Sequence, residues 1–279
     1  MKDIVIPNQK NLEQLIQKIK QAGKEKFHVL ADFDRTLTKA FVEGQKSPTV
    51  IAQLRTGEYL TEDYAQKAHK LFDTYHPIEI DPTVPRKEKS AKMHEWWKKH
   101  FDLLIKCGLD KKTMQTIVKK RTLKFRQGTL EFIDFLHQNN IPLIIMSAGP
   151  GDMISEYLKQ EGRLHNNVHI IANLYEFENG KATKVKEPIV HSMNKAEIVV
   201  KGYPVYKLVK DRTNVLLLGD GAEDIDMIEG FDYTNLIKVG FLNENVEQNL
   251  KVFKQNYNVL LLNDTNMDYI NKLLKEIIS

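Results

Sequence analysis

The sequence predicts an α/β protein with a mostly parallel sheet and a helical segment inserted after the first strand of that sheet. Short apolar runs alternate with amphipathic helical patterns beyond residue 121, which is typical of parallel sheets covered by helices on both faces. Several of these runs end in serine, glycine or aspartate, at the edge where open α/β sheets bind ligands. The segment 41–120 has helical spacing over most of its length.

The first elements follow directly from side-chain spacing. Apolar residues recur at helical intervals over Asn11–Lys20, which predicts a leading helix, and the mainly apolar run Phe27–Ala31 predicts a buried strand. Helical spacing in the inserted segment then predicts three helices, at Thr61–Tyr75, Lys87–Cys107 and Asp110–Lys120.

Two prolines mark a break inside the inserted segment. Pro77 and Pro82 lie in the connector His76–Pro82. Proline lacks a backbone N–H and disfavours helical geometry in the residue before it. We therefore expect this connector to be non-helical.

The rest of the chain alternates between strand and helix patterns. Strands are predicted at Pro142–Met146, Val168–Ala172, Val215–Leu218, Leu236–Phe241 and Val259–Leu262. Helices are predicted at Thr129–Asn139, Gly151–Gln160, Val246–Gln255 and Met267–Ile278. The predicted division is a sheet domain formed by 1–40 and 121–279, with residues 41–120 as a helical cap that excludes water and selects substrate.

Composition excludes several protein classes. The chain is 42% hydrophobic and 28% charged, and we see no apolar stretch of the roughly 18 residues that a membrane span needs. The amino terminus lacks the apolar core of a signal peptide, so we expect a cytoplasmic protein. The single cysteine, Cys107, lies in an apolar stretch and is expected to be a buried, inert thiol. A net charge of +4, with basic residues on helix faces, predicts no nucleic-acid polymer as partner.

A pair of carboxylates follows the first predicted strand. Asp32 and Asp34 are two residues apart, so on a regular strand both side chains point the same way. Neighbouring carboxylates repel each other unless a cation or a proton lies between them. The pair therefore indicates a metal ion and a phosphoryl group, although aspartate and threonine are also common in ordinary turns.

Other chemically useful residues follow later strands. Ser147 and Ala148 precede a predicted helix and suit a phosphate, although such a loop is more often a turn. Lys195 begins a predicted helix, where a cation is disfavoured, so it has either an anionic partner or an exposed side chain. Asp220 lies between two glycines as a hard oxygen ligand for Mg²⁺. Asp224 is suited to cap the next helix, to hold the outer shell of the metal, or to hold Lys195.

The order of these groups resembles the haloacid dehalogenase superfamily of phosphatases and phosphotransferases, with all four of its motifs present. A closer resemblance, from about residue 25 to the carboxyl end, is to the cytosolic pyrimidine 5′-nucleotidase family. That family includes a branch acting on 7-methylguanosine monophosphate. The matching stretches are Asp32–Thr38, Ile78–Pro82, Met93–Trp97, Ser147–Gly149, His191–Lys195 and Leu216–Gly221. The resemblance implies a Rossmann-like parallel sheet core of the haloacid dehalogenase type with an inserted helical cap.

The resemblance also implies a mechanism. Asp32 is the expected nucleophile, forming an aspartyl-phosphate, and Asp34 is the expected general acid and then base. Mg²⁺ is expected on the Asp32 carboxylate, the Asp34 backbone carbonyl and Asp220. Thr36, Ser147, the Ala148 N–H and Lys195 are expected to hold the phosphate.

The cap implies a nucleotide base. Glu79 matches the base-binding glutamate of the family, and Trp97 matches the aromatic that stacks on the base. One tryptophan of the Trp96–Trp97 pair is expected in the core. The chain departs from the family pattern at Lys39–Ala40, and at Lys99 or His100 where a serine is usual. These departures touch the base pocket.

The expected activity is Mg²⁺-dependent hydrolysis of nucleoside 5′-monophosphates by a monomer, with pyrimidine or 7-methylguanine as the base. Transfer of the phosphate to a nucleoside is open to the same intermediate. Two alternatives remain: a capped phosphatase acting on phosphoserine or another small phosphomonoester, and a non-catalytic nucleotide-binding protein.

Overall fold

The computed structural model of the protein describes residues 3–56, 59–81, 83–195 and 200–279. The strands are β1 (Ile4–Val5), β2 (Phe27–Ala31), β3 (Phe41–Val42), β4 (Gln45–Lys46), β5 (Leu143–Pro150), β6 (Val168–Asn173), β7 (Tyr175–Glu178), β8 (Lys181–Val185), β9 (Asn214–Gly219), β10 (Asn235–Leu242) and β11 (Val259–Leu262). The helices are α1 (Gln9–Ala22), α2 (Val50–Thr56), α3 (Tyr64–Ile80), α4 (Arg86–Lys106), α5 (Lys111–Lys119), α6 (Thr129–Gln138), α7 (Gly151–Gln160), α8 (Tyr206–Val209), α9 (Val246–Asn256) and α10 (Asp268–Ile278).

A seven-stranded sheet forms the centre of the molecule, in the order β1-β11-β10-β9-β2-β5-β6. All neighbouring pairs are parallel except β1 with β11. Strand β2 lies between β9 and β5, so the carboxyl ends of these three strands meet at one edge. The predicted α/β fold with a mostly parallel sheet is confirmed, and each predicted strand is present, β2 and β11 with the predicted ends and the other four with somewhat different ends.

Both faces of the sheet are buried, because alternate side chains of each strand point to opposite sides. In β9, Leu216 and Leu218 belong to one hydrophobic cluster, while Val215 and Leu217 belong to another. All four side chains are fully buried. This double burial explains why the central strands appear in the sequence as continuous apolar runs.

The prediction of a non-helical connector at Pro77 is wrong. Helix α3 continues through Pro77 to Ile80, and the Asp81 N–H donates to the Pro77 carbonyl at 3.1 Å. Proline removes one helical hydrogen bond, but α3 is also held by packing on α4, where the Tyr75 ring stacks on Trp96 with centroids 6.0 Å apart. The part of the prediction that concerns Pro82 lies outside the described residues.

The inserted segment joins the sheet through two connections that run side by side. The Lys39 N–H donates to the Lys124 carbonyl at 2.9 Å, and the Arg126 N–H donates to the Leu37 carbonyl at 3.0 Å. Helices α2 to α5 lie between these connections in the chain. The predicted domain limits at 41 and 120 stay a prediction.

Two predictions from composition can also be compared with the structure. Cys107 is a buried free thiol, as predicted. Within the described ranges, none of the helices combines the length and the apolar character needed to cross a membrane.

Candidate active site

A cavity of about 680 Å³ opens at the carboxyl ends of β2, β5 and β9, with α2, α3 and α4 contributing the opposite wall. Most of the predicted site residues line it, namely Asp32, Asp34, Glu79, Trp97, Ser147, Ala148, Lys195, Asp220 and Asp224. Thr36 is the exception: it is fully buried, it does not line the cavity, and its hydroxyl has no hydrogen-bond partner among the described residues.

Lys195 links two of the acidic residues. Its Nζ lies 2.6 Å from Asp32 Oδ1 and 2.7 Å from Asp224 Oδ1, and all three side chains are at least nine-tenths buried. Burial alone would lower the pKa of Lys195, but Asp224 and Asp32 outweigh it and hold that pKa above its usual value. Lys195 therefore has anionic partners. The prediction that it begins a helix depends on residues 196–199, which lie outside the described residues.

Asp224 orders the loop that follows β9. Its Oδ2 accepts the N–H groups of Asp220 and Gly221, each at 2.9 Å, while its Oδ1 accepts from Lys195. A Cβ at Gly219 would lie 2.4 Å from the Cβ of Asp224, so only glycine fits there. Both carboxylate oxygens of Asp224 are thus occupied by protein donors.

Asp220 carries the carboxylate that is left without a partner. Among the described residues no group donates to it, and no cation pairs with it within 4 Å. Burial, followed by repulsion from Asp224 and Asp32, raises the pKa of Asp220 well above its usual value. Burial raises the pKa of Asp32 to about 6, against the opposing effect of Lys195.

The acidic cluster fits a divalent cation. One oxygen from each of Asp32, Asp220 and Asp224 can be chosen so that all lie within 4.8 Å of one another. The single ammonium of Lys195 leaves surplus negative charge, and carboxylate oxygens are hard ligands. Since Asp224 is already committed to protein donors, Asp32 and Asp220 are the better candidates to hold the ion.

Asp34 is set apart from this cluster by its surroundings. Its Oδ1 accepts the backbone N–H of Val50 at 2.9 Å. Burial, followed by repulsion from Asp32, raises the pKa of Asp34 to about 7. A carboxyl group with such a pKa can both donate and accept a proton near neutrality.

The carboxyl end of β5 presents a compact polar surface to the cavity. Ser147 Oγ accepts the Gly149 N–H at 3.1 Å, and Asn173 Nδ2 donates to the Ala148 carbonyl at 2.6 Å. These bonds fix the backbone immediately before α7. The Ser147 hydroxyl proton and the Ala148 N–H are suited to an anion at the helix start.

The opposite wall is aromatic and carries Glu79. Its Oε1 accepts from the Ser192 hydroxyl at 2.8 Å, and its Oε2 lies 3.1 Å from His76 Nδ1. Trp96 is 8% exposed and belongs to a hydrophobic cluster, as predicted for one of the two tryptophans. Trp97 is only partly buried, lines the cavity, and its Nε1 has no partner among the described residues.

Lys99 and His100, the two candidates for the position where the family usually has a serine, have different surroundings. His100 lines the cavity and lies 3.0 Å from the Tyr64 hydroxyl. Lys99 instead bonds Glu95 and Tyr75 and does not line the cavity.

Sequence reasoning missed several lining residues. Those with polar or aromatic side chains include Arg35, Arg55, Phe72, His76 and Ser192. Phe72, His76 and Glu79 lie on one face of α3 at helical spacing. That signal was hidden because the proline rule had placed His76 and Glu79 in a connector. Nothing in the local sequence identified Arg55.

Comparisons with known proteins give a consistent result. The model of the pyrimidine 5′-nucleotidase (UMPH-1) family matches residues 35–278. A 7-methylguanosine phosphate-specific 5′-nucleotidase A from Xenopus laevis is 36% identical over 266 residues, covering 95% of this chain and 92% of that protein. The crystal structure of cytosolic 5′-nucleotidase IIIB bound to cytidine superposes with a TM-score of 0.92 at 30% identity, covering 99% of this chain and 94% of the other.

A more distant likeness shows the fold alone. A phosphoserine phosphatase structure, solved as a phospho-aspartyl intermediate analogue, has a TM-score of 0.51 at 18% identity. It covers 88% of this chain and 96% of the other.

Proposed function

The chain belongs to the pyrimidine 5′-nucleotidase family, and we propose that its cavity hydrolyses nucleoside 5′-monophosphates with Mg²⁺ through an aspartyl-phosphate on Asp32. Members of this family are phosphoric monoester hydrolases. The observation that carries the proposal is one cavity that holds an acidic cluster around Lys195 at one end and the Glu79–Trp97 wall at the other.

We assign the role of nucleophile to Asp32. Lys195 holds its Oδ1, which leaves Oδ2 to attack phosphorus while the bond from phosphorus to the ribose 5′-oxygen breaks. Asp34 donates its proton to the departing oxygen. It then removes a proton from the water that attacks the acyl phosphate, which regenerates Asp32 and releases phosphate.

The remaining groups balance charge and hold the phosphate. Mg²⁺, bound by Asp32, the Asp34 carbonyl and Asp220, would neutralise phosphate charge so that a carboxylate can approach an anion. Lys195 adds a second positive charge, and Ser147 with the Ala148 N–H donates to the phosphoryl oxygens. Thr36 stays a predicted phosphate ligand, with a buried hydroxyl that has no partner among the described residues and does not line the cavity.

The base subsite lies between Trp97 and Glu79. Trp97 offers a ring for stacking, worth on the order of 1–3 kcal/mol per base in nucleic-acid complexes, and Glu79 accepts hydrogen bonds from base N–H groups. The similar proteins are named for 7-methylguanosine phosphate or were solved with cytidine. We therefore propose cytosine, uracil and 7-methylguanine as candidate bases. The name of the cytosolic relative also supports a cytoplasmic location. A monomer stays the expected oligomeric state.

Phosphate release from a substrate panel tests the function. The panel contains CMP, UMP, 7-methyl-GMP, AMP, GMP, phosphoserine and ribose 5-phosphate, each with Mg²⁺. We expect turnover of at least one of the first three to exceed that of phosphoserine and ribose 5-phosphate. Turnover confined to phosphoserine would reject the nucleotide subsite and keep the mechanism.

Asp220→Asn is expected to abolish stabilisation by Mg²⁺. In the wild-type protein Mg²⁺ should raise the melting temperature, because the ion binds only the folded cluster and relieves repulsion between Asp32 and Asp220. The amide at position 220 removes one charged ligand. Differential scanning calorimetry with and without Mg²⁺ measures the shift. The control Asp134→Asn, a surface carboxylate paired with Arg163, should keep the full shift; an undiminished shift in Asp220→Asn would reject that ligand.

Activity on nucleotides is expected to fall as the pH rises through about 7. The pKa of Asp34 is raised to about 7, so at higher pH it has lost the proton that the ribose oxygen requires. Measurement of kcat/KM for CMP across pH 5–9 tests for this fall in activity at alkaline pH. For p-nitrophenyl phosphate, whose leaving group needs no proton, the alkaline fall should be absent or much smaller. An equal fall in kcat/KM for both substrates would contradict the assignment of Asp34 as the general acid.

A further inference from the structure

We propose that Arg55 is a specificity-determining residue of the base subsite, where it hydrogen-bonds a carbonyl oxygen of an uncharged base and disfavours a positively charged one. This inference rests on the proposed function, because it assumes that a base enters the cavity beside Glu79. It assigns a role that neither the acidic cluster nor the Trp97 ring supplies.

Arg55 belongs to a continuous row of side chains that ends at Glu79. Its guanidinium carbon lies 4.1 Å from the centroid of the Phe72 ring. The Phe72 ring stacks on His76 with centroids 4.5 Å apart, and His76 Nδ1 lies 3.1 Å from Glu79 Oε2. All four side chains line the same cavity. The cation and the carboxylate thus mark the two ends of one wall.

The guanidinium of Arg55 has donors to spare. Within the described residues, 3–56, 59–81, 83–195 and 200–279, it makes no hydrogen bond and no ion pair. Stacking on Phe72 occupies only its face, so the N–H groups in the guanidinium plane stay available. The side chain is partly buried, but none of its nitrogens is among the buried atoms that lack a partner, so its N–H groups are open to the cavity. An acceptor on a ligand in the cavity can therefore reach these N–H groups.

The location of Arg55 favours contact with the base of a bound nucleotide rather than with its phosphate. The phosphate end already contains Lys195 and the Ser147 end of β5, close to the acidic cluster. Arg55 instead joins the aromatic row that leads to Glu79. Cytosine, uracil and guanine each present a ring carbonyl oxygen that can accept from a guanidinium, whereas adenine presents none.

The positive charge of Arg55 also affects which bases bind, in addition to its hydrogen bonds. A 7-methylguanine ring carries a positive charge, and two like charges repel more strongly in a partly buried site than in water. Specificity of this kind combines attraction to one ligand with repulsion of another. The geometry therefore favours CMP and UMP over 7-methyl-GMP and AMP, although similar proteins are named for 7-methylguanosine phosphate.

Arg55→Met and Arg55→Lys test the inference. Methionine keeps an unbranched apolar stem over Phe72 and removes both charge and donors, while lysine keeps the charge without the planar fork. The value of kcat/KM is measured for CMP, UMP, 7-methyl-GMP and AMP below neutral pH, where the 7-methylguanine ring keeps its charge. Each value is divided by that for ribose 5-phosphate, which has no base and reports any general damage.

The expected result is a change in ranking. Arg55→Met should lose at least about tenfold on CMP and UMP after normalisation, the effect of removing a hydrogen bond from a charged donor, and should gain on 7-methyl-GMP. Arg55→Lys should lose on CMP and UMP without that gain. Lys120→Met, which removes a cation from the Tyr59 ring outside the cavity, should keep the wild-type ranking.

Two outcomes would overturn the assignment. An equal loss on every substrate, ribose 5-phosphate included, would show a packing role for Arg55, and an unchanged ranking would show no role in selecting the base. Failure of the proposed function is distinguishable, because the wild-type protein would then hydrolyse none of the nucleotides in preference to ribose 5-phosphate.

Discussion

Asp32→Asn is expected to lower kcat for CMP or 7-methyl-GMP by at least about 10³-fold, in line with the removal of a catalytic nucleophile in other enzymes. The amide keeps the size of the side chain but cannot attack phosphorus. Lys195 keeps its bond to Asp224, so the surrounding loop should stay in place. Phosphate release under saturating substrate and Mg²⁺ measures the loss.

The control for this experiment is Asp134→Asn. Asp134 is a partly exposed carboxylate that pairs with Arg163 outside the cavity, and its amide variant should keep wild-type turnover. A melting temperature for each variant separates lost chemistry from lost folding. Full activity in Asp32→Asn would reject the nucleophile and the covalent intermediate together.

Arg126→Met is expected to lower the free energy of unfolding by about 3–5 kcal/mol, the cost of breaking a buried ion pair from one side. Arg126 is 1% exposed, and its Nη1 lies 2.9 Å from Asp264 Oδ1. The same guanidinium also donates to five other oxygens. They are the Asn243 side-chain Oδ1 and the backbone carbonyls of Arg35, Thr36, Thr38 and Thr265. Methionine removes the guanidinium from all these acceptors, and the mostly buried Asp264 carboxylate keeps only the backbone N–H groups of Ala40 and Phe41 as donors.

Urea denaturation of the metal-free protein measures this difference. The matched control is Arg163→Met, which removes the ion pair between Arg163 and Asp134. The side chains of these two residues are 32% and 33% exposed. That pair should contribute no more than about 1 kcal/mol. If the two variants lost equal stability, the buried network would not be the anchor that its contacts indicate. Arg126→Lys, which keeps the charge but not the fork, is the fallback should methionine prevent folding.

Residues whose role depends on nearby sequence were predictable. The Asp32 and Asp34 pair and the loop at Asp220 follow apolar strands, and parallel strands bring such ends together whatever the details of packing. Residues whose role depends on distant partners were not. Arg126 finds its acceptors in three separate parts of the chain, and Arg55 contacts Phe72 across two helices.

Two local features show opposite faults of sequence reasoning. Helix α3 passes through Pro77 because tertiary packing on α4 outweighs a local penalty. The hairpin of β7 and β8 was overlooked although its turn is Asn179–Gly180, with positive φ angles of 49° and 83°. An Asn-Gly pair between strand patterns is a strong hairpin signal, so this element is predictable from the sequence.

The hydrogen bond from the Val50 N–H to Asp34 has a consequence for timing. Val50 is the first residue of α2, which lies in the inserted segment, whereas Asp34 follows β2 of the sheet. The carboxylate that we propose as the proton donor is therefore held by a helix whose residues also line the cavity. A movement that lifts α2 away from the sheet would break this bond, so on the proposed mechanism we expect Asp34 to donate its proton only while α2 covers the cavity.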